Sequence, residues 1–288
     1  MDTPQKNNVT VIPTGAALGA DVVGVDLSKP LSDETFRQIE DAWHSHLVLR
    51  FRGQQLDDPA LLAFGQRFGE LDSAPIHAGK DVVNPFPQIT VMSNIKVVGK
   101  PLGNLGHYEA VWHTDMSYND LAPIGSLLYS LEVPPAGGNT GFSNMYKAWD
   151  TLPAALKKQV LGRYCRHDSS RNSAGELRKG GTEVTDPRDA PGAMHPLVRT
   201  HPVTGKKALY VDQIYAVGIE GLKDEEARPL IDYLARHITR EEFACRLRWT
   251  PGTLVMWDNR ICVHKAFNDY DGHTREMIRT IVNGEVPA

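Results

Sequence analysis

The sequence predicts a mainly β fold in which two antiparallel sheets pack into a roll and helices lie at the flanks. Short runs rich in β-branched and aromatic residues recur along the chain, separated by Gly and Pro turns. Segments with helical periodicity are few and do not alternate regularly with the strands, which argues against a doubly wound parallel sheet. An antiparallel double-sheet roll with added helices accounts best for this order of elements.

Local patterns predict the individual elements. Predicted strands cover two segments within 9–31, then 46–54, 88–94, 126–134, 207–213 and three segments between 245 and 284. Predicted helices cover 33–46, 59–69, 152–161 and 224–238. Ser32 is expected to cap the first helix, and Asp57 or Asp58 the second. Residues 165–195 are polar and lack periodicity, which predicts a lid or insert within a single domain spanning 1–288.

Composition and charge limit the classes of protein and the kinds of partner that we expect. The 288 residues are 41% hydrophobic and 23% charged, as in an ordinary globular protein, and the net charge is −4. Domains that bind nucleic acid are usually basic, so no nucleic-acid partner is expected. We expect no membrane span, because no run of about 18 apolar residues occurs, and no signal peptide. The three cysteines, Cys165, Cys245 and Cys262, have no metal-site spacing and favour a reducing, cytoplasmic setting.

Three residues are candidates for a metal site. His113 and Asp115 are two residues apart, and in a strand this spacing places both side chains on one face. His264, which follows a predicted strand far along the chain, is the best candidate for a third ligand. Two histidines and one carboxylate bind Fe(II) and leave coordination positions open for other ligands. The tripeptide alone is a weak signal, since a surface turn is the ordinary alternative.

The surrounding motifs make the signal specific. They occur in the order Trp112-His113-Thr114-Asp115, Gly137-Gly138-Asn139-Thr140, Trp257-Asp258-Asn259-Arg260 with His264 after it, and Arg275. With the segments GADVVGVDLSKPL and HLVLRFRGQ, nearly the whole chain resembles the taurine dioxygenase and 2,4-dichlorophenoxyacetate dioxygenase family of Fe(II)/2-oxoglutarate oxygenases. The resemblance implies a double-stranded β-helix, a jelly roll of the cupin kind. It also implies that His113, Asp115 and His264 are the iron ligands and the catalytic centre.

The same resemblance assigns the cosubstrate site. Arg275 lies 11 residues after His264, where the family has the arginine that holds the distal carboxylate of 2-oxoglutarate. A guanidinium offers a planar fork that matches a carboxylate. Thr140 lies 27 residues after His113, and the matching family threonine donates a hydroxyl to that carboxylate. The ordinary alternatives are a solvated strand arginine and a turn residue.

Substrate-binding residues are predicted less directly. Arg279 matches the family arginine that binds the sulfonate of taurine, with a structural salt bridge as the alternative. Glu109 stands where the taurine enzyme has an asparagine, and His77 falls near a substrate-binding tyrosine in a segment that aligns loosely. Glu109 beside Arg279 would suit a zwitterion, although it is also compatible with a solvated loop. The sequence thus predicts a small anionic or zwitterionic substrate and argues against taurine, while an amino acid, an aryloxyalkanoate and an alkyl sulfonate or sulfate stay open.

The resemblance implies an oxidoreductase that uses O2 and 2-oxoglutarate, oxidises a substrate C–H bond and releases succinate and CO2. The carboxylate of Asp115 argues against halogenation, because related halogenases have a small residue there. The family implies a homo-oligomer, a dimer or tetramer. Two alternatives stay open at this point. One is a catalytically silent jelly roll that binds or senses a small molecule. The other is a hydrolase that uses another divalent metal, which would leave Arg275 and Thr140 without a role.

Overall fold

A computed structural model describes residues 8–73, 85–101, 103–105 and 110–288. In these ranges the strands are β1 Thr10–Pro13, β2 Ala20–Val23, β3 Val48–Phe51, β4 Thr90–Ser93, β5 Lys96–Val97, β6 Lys100–Pro101, β7 Asn104–Leu105, β8 Ala122–Glu132, β9 Thr140–Asn144, β10 Tyr164–His167, β11 Met194–Pro196, β12 Val198–Thr200, β13 Lys207–Leu209, β14 Ala216–Ile219, β15 Ala244–Leu247, β16 Leu254–Asp258, β17 Cys262–Ala266 and β18 Glu276–Glu285. The helices are α1 Asp33–His46, α2 Asp58–Gln66, α3 Met145–Thr151, α4 Ala154–Val160 and α5 Asp224–His237.

Two sheets form the body of the fold. The major sheet has the strand order β1-β2-β3-β16-β8-β18-β4-β7, and all its pairings are antiparallel except β2 with β3 and β4 with β7. The minor sheet has the order β15-β9-β17 and is antiparallel throughout. Long-range pairing of this kind, with helices outside, is the double-sheet roll that the sequence predicts.

The major sheet is the middle layer, because both of its faces are buried. Alternate residues of β16 show this: Leu254 and Met256 pack among the residues of α1 and α2, whereas Val255 and Trp257 pack toward the minor sheet. Strand side chains alternate between faces, so a strand covered on both sides needs a continuous apolar run. The sequence LVMWD has that property, and all five residues are buried.

Alternation also defines which residues face the space between the sheets. On β18, Met277 shares the inner cluster with Trp257, and Arg279 and Ile281 follow on the same face. On the minor sheet, Phe142 is directly opposite His264. The inner faces of the two sheets therefore bring polar residues from distant parts of the chain into one space.

Most predicted elements are confirmed, with boundaries shifted by a few residues. The side chain of Ser32 accepts a hydrogen bond from the Thr35 amide and begins α1, and Asp57 rather than Asp58 caps α2. Sequence patterns missed α3 and several strands, among them β9 and β17 of the minor sheet. The segment 165–195 is mainly loop, but its ends form β10 and β11. No helix in the described ranges is long and apolar enough to cross a membrane.

A buried ion pair fixes the turn between β16 and β17. Both carboxylate oxygens of Asp258 accept hydrogen bonds from Arg260, at 2.8 and 2.7 Å, and His201 Nε2 donates at 3.0 Å. Asp258 and His201 are fully buried, and Arg260 is 4% exposed. Burial raises the pKa of Asp258, but the charge of Arg260 and the hydrogen bonds from His201 and Arg260 outweigh it and hold the pKa at about 2. This network holds the turn that leads into His264.

Asp258→Asn is expected to destabilise the fold by about 3–5 kcal/mol, because it leaves a buried guanidinium without its counter-charge. Thermal unfolding measures the change. Asp186→Asn is the matched control: Asp186 pairs with Arg188 at the same spacing, but that pair is exposed to solvent and its loss should change little. Since the native pKa of Asp258 is depressed, its contribution to stability is present above about pH 4 and is lost as the pH falls toward 2. Equal effects of the two substitutions would contradict this role.

Candidate active site between the two sheets

His113, Asp115 and His264 converge on one point between the sheets. One ligand atom from each lies within 4.8 Å of the others. Nε2 of His113 is 3.8 Å from Asp115 Oδ1, and Nε2 of His264 is 3.9 Å from Asp115 Oδ2. All three side chains are buried. This arrangement of two imidazoles and one carboxylate is a facial triad suited to Fe(II).

The local structure of His113 and Asp115 differs from the prediction. They do not lie in a strand: His113 forms a single β-bridge with His264, and Asp115 begins a turn in which Met116 has φ +48°. The amides of His113 and His264 each donate to the other's carbonyl, at 3.0 and 2.8 Å. The two imidazoles therefore meet through backbone pairing, and the turn, rather than strand alternation, brings the carboxylate beside them.

Hydrogen bonding orients one imidazole toward the triad, and burial keeps the other neutral. Nδ1 of His113 lies 2.7 Å from the Val111 carbonyl, which can only accept, so Nδ1 carries a proton and Nε2 is the nitrogen that faces Asp115. Burial, and then the nearby imidazole of His113, lower the pKa of His264 to about 3. Neutral imidazoles are the form that binds a metal.

The Asp115 carboxylate stays ionised despite its burial. Burial raises its pKa, but the positive charge of Arg279, with smaller contributions from the two histidines and the hydrogen bond from Ser126, outweighs burial and holds the pKa well below its ordinary value. Arg279 Nη1 donates to Oδ1 at 2.9 Å, and the Ser126 hydroxyl donates to Oδ2 at 2.8 Å. The site therefore holds a fixed negative charge without titration near neutral pH.

The triad lies at a cavity of about 370 Å³ between the sheets. Thr140 and Arg275 line the same cavity, as the sequence predicts. Thr140 is opposite Ala266 on β17, so it shares a face with His264. A larger surface cleft, of about 730 Å³ beside the start of α5, holds none of these residues.

Arg275 and Thr140 both have unused hydrogen-bonding capacity. Nε of Arg275 is buried and has no hydrogen-bond partner among the described residues, and burial lowers the pKa of this arginine. The Thr140 hydroxyl accepts from Trp249 Nε1 at 3.0 Å, which leaves its own hydrogen able to donate. A buried cation without a paired anion is costly, so the pair fits an anionic ligand such as the distal carboxylate of 2-oxoglutarate.

Two of the predicted substrate residues, Glu109 and His77, lie outside the described residues. Arg279 lines the cavity on the inner face of β18, but it also forms the ion pair with Asp115, so the salt bridge considered as its alternative is present. Sequence reasoning missed Asp72, Tyr118 and Tyr215, which also line the cavity. They belong to no motif, and only the fold brings them to this place.

The segment 165–195 is docked against the site. The Val111 amide donates to the Ser173 carbonyl at 2.7 Å, and Arg178 Nη2 donates to the Tyr118 hydroxyl at 2.8 Å. Arg178 lines the cavity, so this segment adds a third arginine to Arg275 and Arg279.

Comparisons with known proteins agree with this geometry. Residues 10–281 match the model of the family described as taurine catabolism dioxygenase TauD, TfdA family. The chain is 34% identical over 283 residues to the alpha-ketoglutarate-dependent 2,4-dichlorophenoxyacetate dioxygenase of Cupriavidus pinatubonensis, covering 94% of this chain and 96% of that protein.

Two solved structures share the fold closely. A taurine dioxygenase from Burkholderia xenovorans superposes with a TM-score of 0.81 at 32% identity, over 97% of this chain and 91% of that one. AAD-2 in complex with Mn(II) and N-oxalylglycine gives a TM-score of 0.81 at 31% identity, over 97% of this chain and 98% of that one. Sequence, fold and the buried His-Asp-His site agree, and the chain belongs to the TauD/TfdA family of 2-oxoglutarate-dependent dioxygenases.

Proposed function

We propose that this dioxygenase uses Fe(II), held by His113, Asp115 and His264, to oxidise a C–H bond of a small anionic substrate. In the overall reaction, 2-oxoglutarate, O2 and the substrate R–H give succinate, CO2 and R–OH. The observation that carries the proposal is the triad in one cavity with Arg275, whose buried Nε has no hydrogen-bond partner in the described ranges. An iron-binding site alone would serve many reactions, whereas Arg275 adds a place for a second carboxylate.

The residues around the cavity have separate roles in the proposed reaction. Bound Fe(II) would supply the redox chemistry that couples O2 to 2-oxoglutarate oxidation. Arg275 and Thr140 would hold the distal carboxylate of 2-oxoglutarate, which orients the cosubstrate toward the triad. Exclusion of water from the reacting atoms by the bound substrate would confine oxidation to the positioned C–H bond.

Two cations favour an anionic substrate. Arg279 and Arg178 both line the cavity, from β18 and from segment 165–195. Tyr118 and Tyr215 pack edge to face with ring centroids 5.0 Å apart, and Tyr215 lies 6.2 Å from His113, so an aromatic wall faces the same space. The carboxylate of Asp72 lines the same cavity and could bind the amino group of a zwitterion. We therefore propose a small acid with an apolar body, with a zwitterion as the second candidate.

Segment 165–195 is proposed to act as a lid, supported by Arg178 in the cavity wall and the Val111–Ser173 hydrogen bond. A single domain, a cytoplasmic location, a homo-oligomeric state and the lack of nucleic-acid or membrane partners stay predictions.

The reaction class is tested by anaerobic binding of Fe(II) and 2-oxoglutarate. We expect a visible metal-to-ligand charge-transfer band in the wild type and its loss in His264→Ala, because one metal ligand is removed. Admission of O2 should then convert 2-oxoglutarate to succinate. Binding without succinate in the presence of any small acid would favour the silent binding protein. Metal binding without any 2-oxoglutarate binding would favour the metal-dependent hydrolase.

Arg275→Gln is expected to weaken 2-oxoglutarate binding roughly 100-fold, which corresponds to about 3 kcal/mol for a lost charge pair. Calorimetry with the Mn(II)-loaded protein measures this affinity without turnover. Arg248→Gln is the control, since Arg248 is an exposed cation that donates to the Pro135 carbonyl away from the cavity. The proposed role of Arg275 fails if both variants bind 2-oxoglutarate as the wild type does.

Arg279→Gln is expected to raise the substrate KM at least tenfold while 2-oxoglutarate affinity is retained, because the lost charge pairs with the substrate anion. Succinate yield is measured with carboxylates, sulfonates, sulfate esters and amino acids, each beside a neutral analogue. Since Arg279 contacts Asp115, Mn(II) affinity is measured in the same variant. Neutral analogues that stimulate the wild type as well as the acids do would contradict an anionic substrate.

A further inference from the structure

Three buried residues form a hydrogen-bond chain that ends on Asp115. Trp257 Nε1 donates to Asn259 Oδ1, Asn259 Nδ2 donates to Ser126 Oγ, and the Ser126 hydroxyl donates to Asp115 Oδ2. Each of these distances is 2.8 Å. Ser126 is fully buried, and Trp257 and Asn259 are each 1% exposed. We call this the Trp257–Asn259–Ser126 chain.

Only one direction of donation is possible along this chain. An indole N–H can donate but not accept, so the Asn259 side chain must present its oxygen to Trp257. Its NH2 group then points at Ser126, whose oxygen accepts that bond. The Ser126 hydrogen is left to donate to Asp115, which as a carboxylate can only accept.

The strands hold every member of the chain in place. Ser126 on β8 is directly opposite Trp257 on β16, and the Asn259 amide donates to the Ile124 carbonyl at 3.0 Å. The Trp257 ring lies 4.8 Å from the ring of His264. The chain therefore starts beside one member of the triad and ends on another.

We propose that Ser126 is a positioning residue, and that Asn259 directs its hydroxyl so that the Asp115 carboxylate is held in the orientation that binds the metal. The inference rests on the proposed function, because it needs Asp115 as a ligand. Arg279 holds Oδ1 from β18 while Ser126 holds Oδ2 from β8, so the carboxylate cannot rotate freely. A ligand fixed before the metal arrives loses less conformational freedom on binding, and such supporting residues commonly account for a 10–100-fold change in metal affinity.

The test is the affinity of the full-length protein for Mn(II) alone, measured by calorimetry, together with the visible spectrum of the Co(II)-loaded protein. Ser126→Ala is expected to weaken Mn(II) binding by about 10–100-fold and to change the Co(II) spectrum. Ser130→Ala is the matched control: Ser130 is a fully buried serine on the same strand, and its hydroxyl bonds the Thr250 and Thr253 carbonyls instead. It should lower the unfolding temperature and leave Mn(II) affinity unchanged.

Asn259→Asp tests the direction of the chain. A carboxylate at this position accepts from Trp257 and from Ser126, so the Ser126 hydroxyl turns away from Asp115. The chain predicts weaker Mn(II) binding in this variant, whereas the added negative charge alone would strengthen the binding of a cation. Unchanged or tighter binding overturns the proposed role of Asn259.

The possible outcomes distinguish a failure of this inference from a failure of the proposed function. Wild-type Mn(II) affinity in Ser126→Ala, or an equal loss in Ser130→Ala, overturns the positioning role and leaves the triad assignment intact. If instead the folded wild type binds no Mn(II), both the proposed function and this inference fail. Thermal unfolding of each variant shows that a loss of affinity is not a loss of the fold.

Discussion

Asp115 carries a negative charge almost out of contact with water, and the architecture around it keeps that charge stable. A buried carboxylate without partners would take up a proton. Here Arg279 and Ser126 each occupy one oxygen, and two imidazoles lie within 4 Å. The charge attracts a cation between the imidazoles, and burial keeps the His264 imidazole neutral and able to bind it. One electrostatic arrangement thus holds the triad together and fits it for a divalent metal.

The two-sheet architecture supplies those partners from distant parts of the chain. Ser126, Trp257 and Arg279 lie on three neighbouring strands of the major sheet, and their side chains share its inner face. His264 and Thr140 face them from the minor sheet. Because strand residues alternate between faces, each strand contributes a polar residue to the cavity and apolar residues to the core behind it. The rigidity of the site comes from this shared framework.

The three arginines that line the cavity differ in the partners that their guanidinium groups have. Arg279 is paired with Asp115, and Arg178 is bonded to Tyr118 and to a backbone carbonyl, while the buried Nε of Arg275 has no partner in the part of the chain that the structure describes. A buried unsatisfied donor destabilises the protein until a ligand pairs with it. The structure therefore retains at Arg275 a cost that, under the proposed function, binding of the cosubstrate would relieve. Such a trade between stability and binding is expected at a functional site.

The sequence by itself determined the chemistry that this protein can perform. Residue types and spacing indicated a candidate triad, because metal binding requires particular functional groups. The resemblance to the family then implied that these residues are the ligands and that Arg275 and Thr140 bind the cosubstrate. Capping residues and apolar periodicity likewise located α1, α2 and α5. These signals are local or tied to a known motif, so they survive without knowledge of the fold.

The tertiary structure decided what surrounds that chemistry. A turn at Asp115, and not the strand alternation that the spacing suggested, places the carboxylate, and backbone pairing of His113 with His264, far apart in sequence, brings the imidazoles together. Ser126, Tyr118 and Tyr215 have no motif, and their roles arise only from packing. A hydrogen bond between residues more than 100 positions apart, such as that of Asn259 with Ser126, produces no periodic pattern of residue types in a single sequence. Local pattern therefore predicts the reacting groups, and long-range strand pairing decides how they are held.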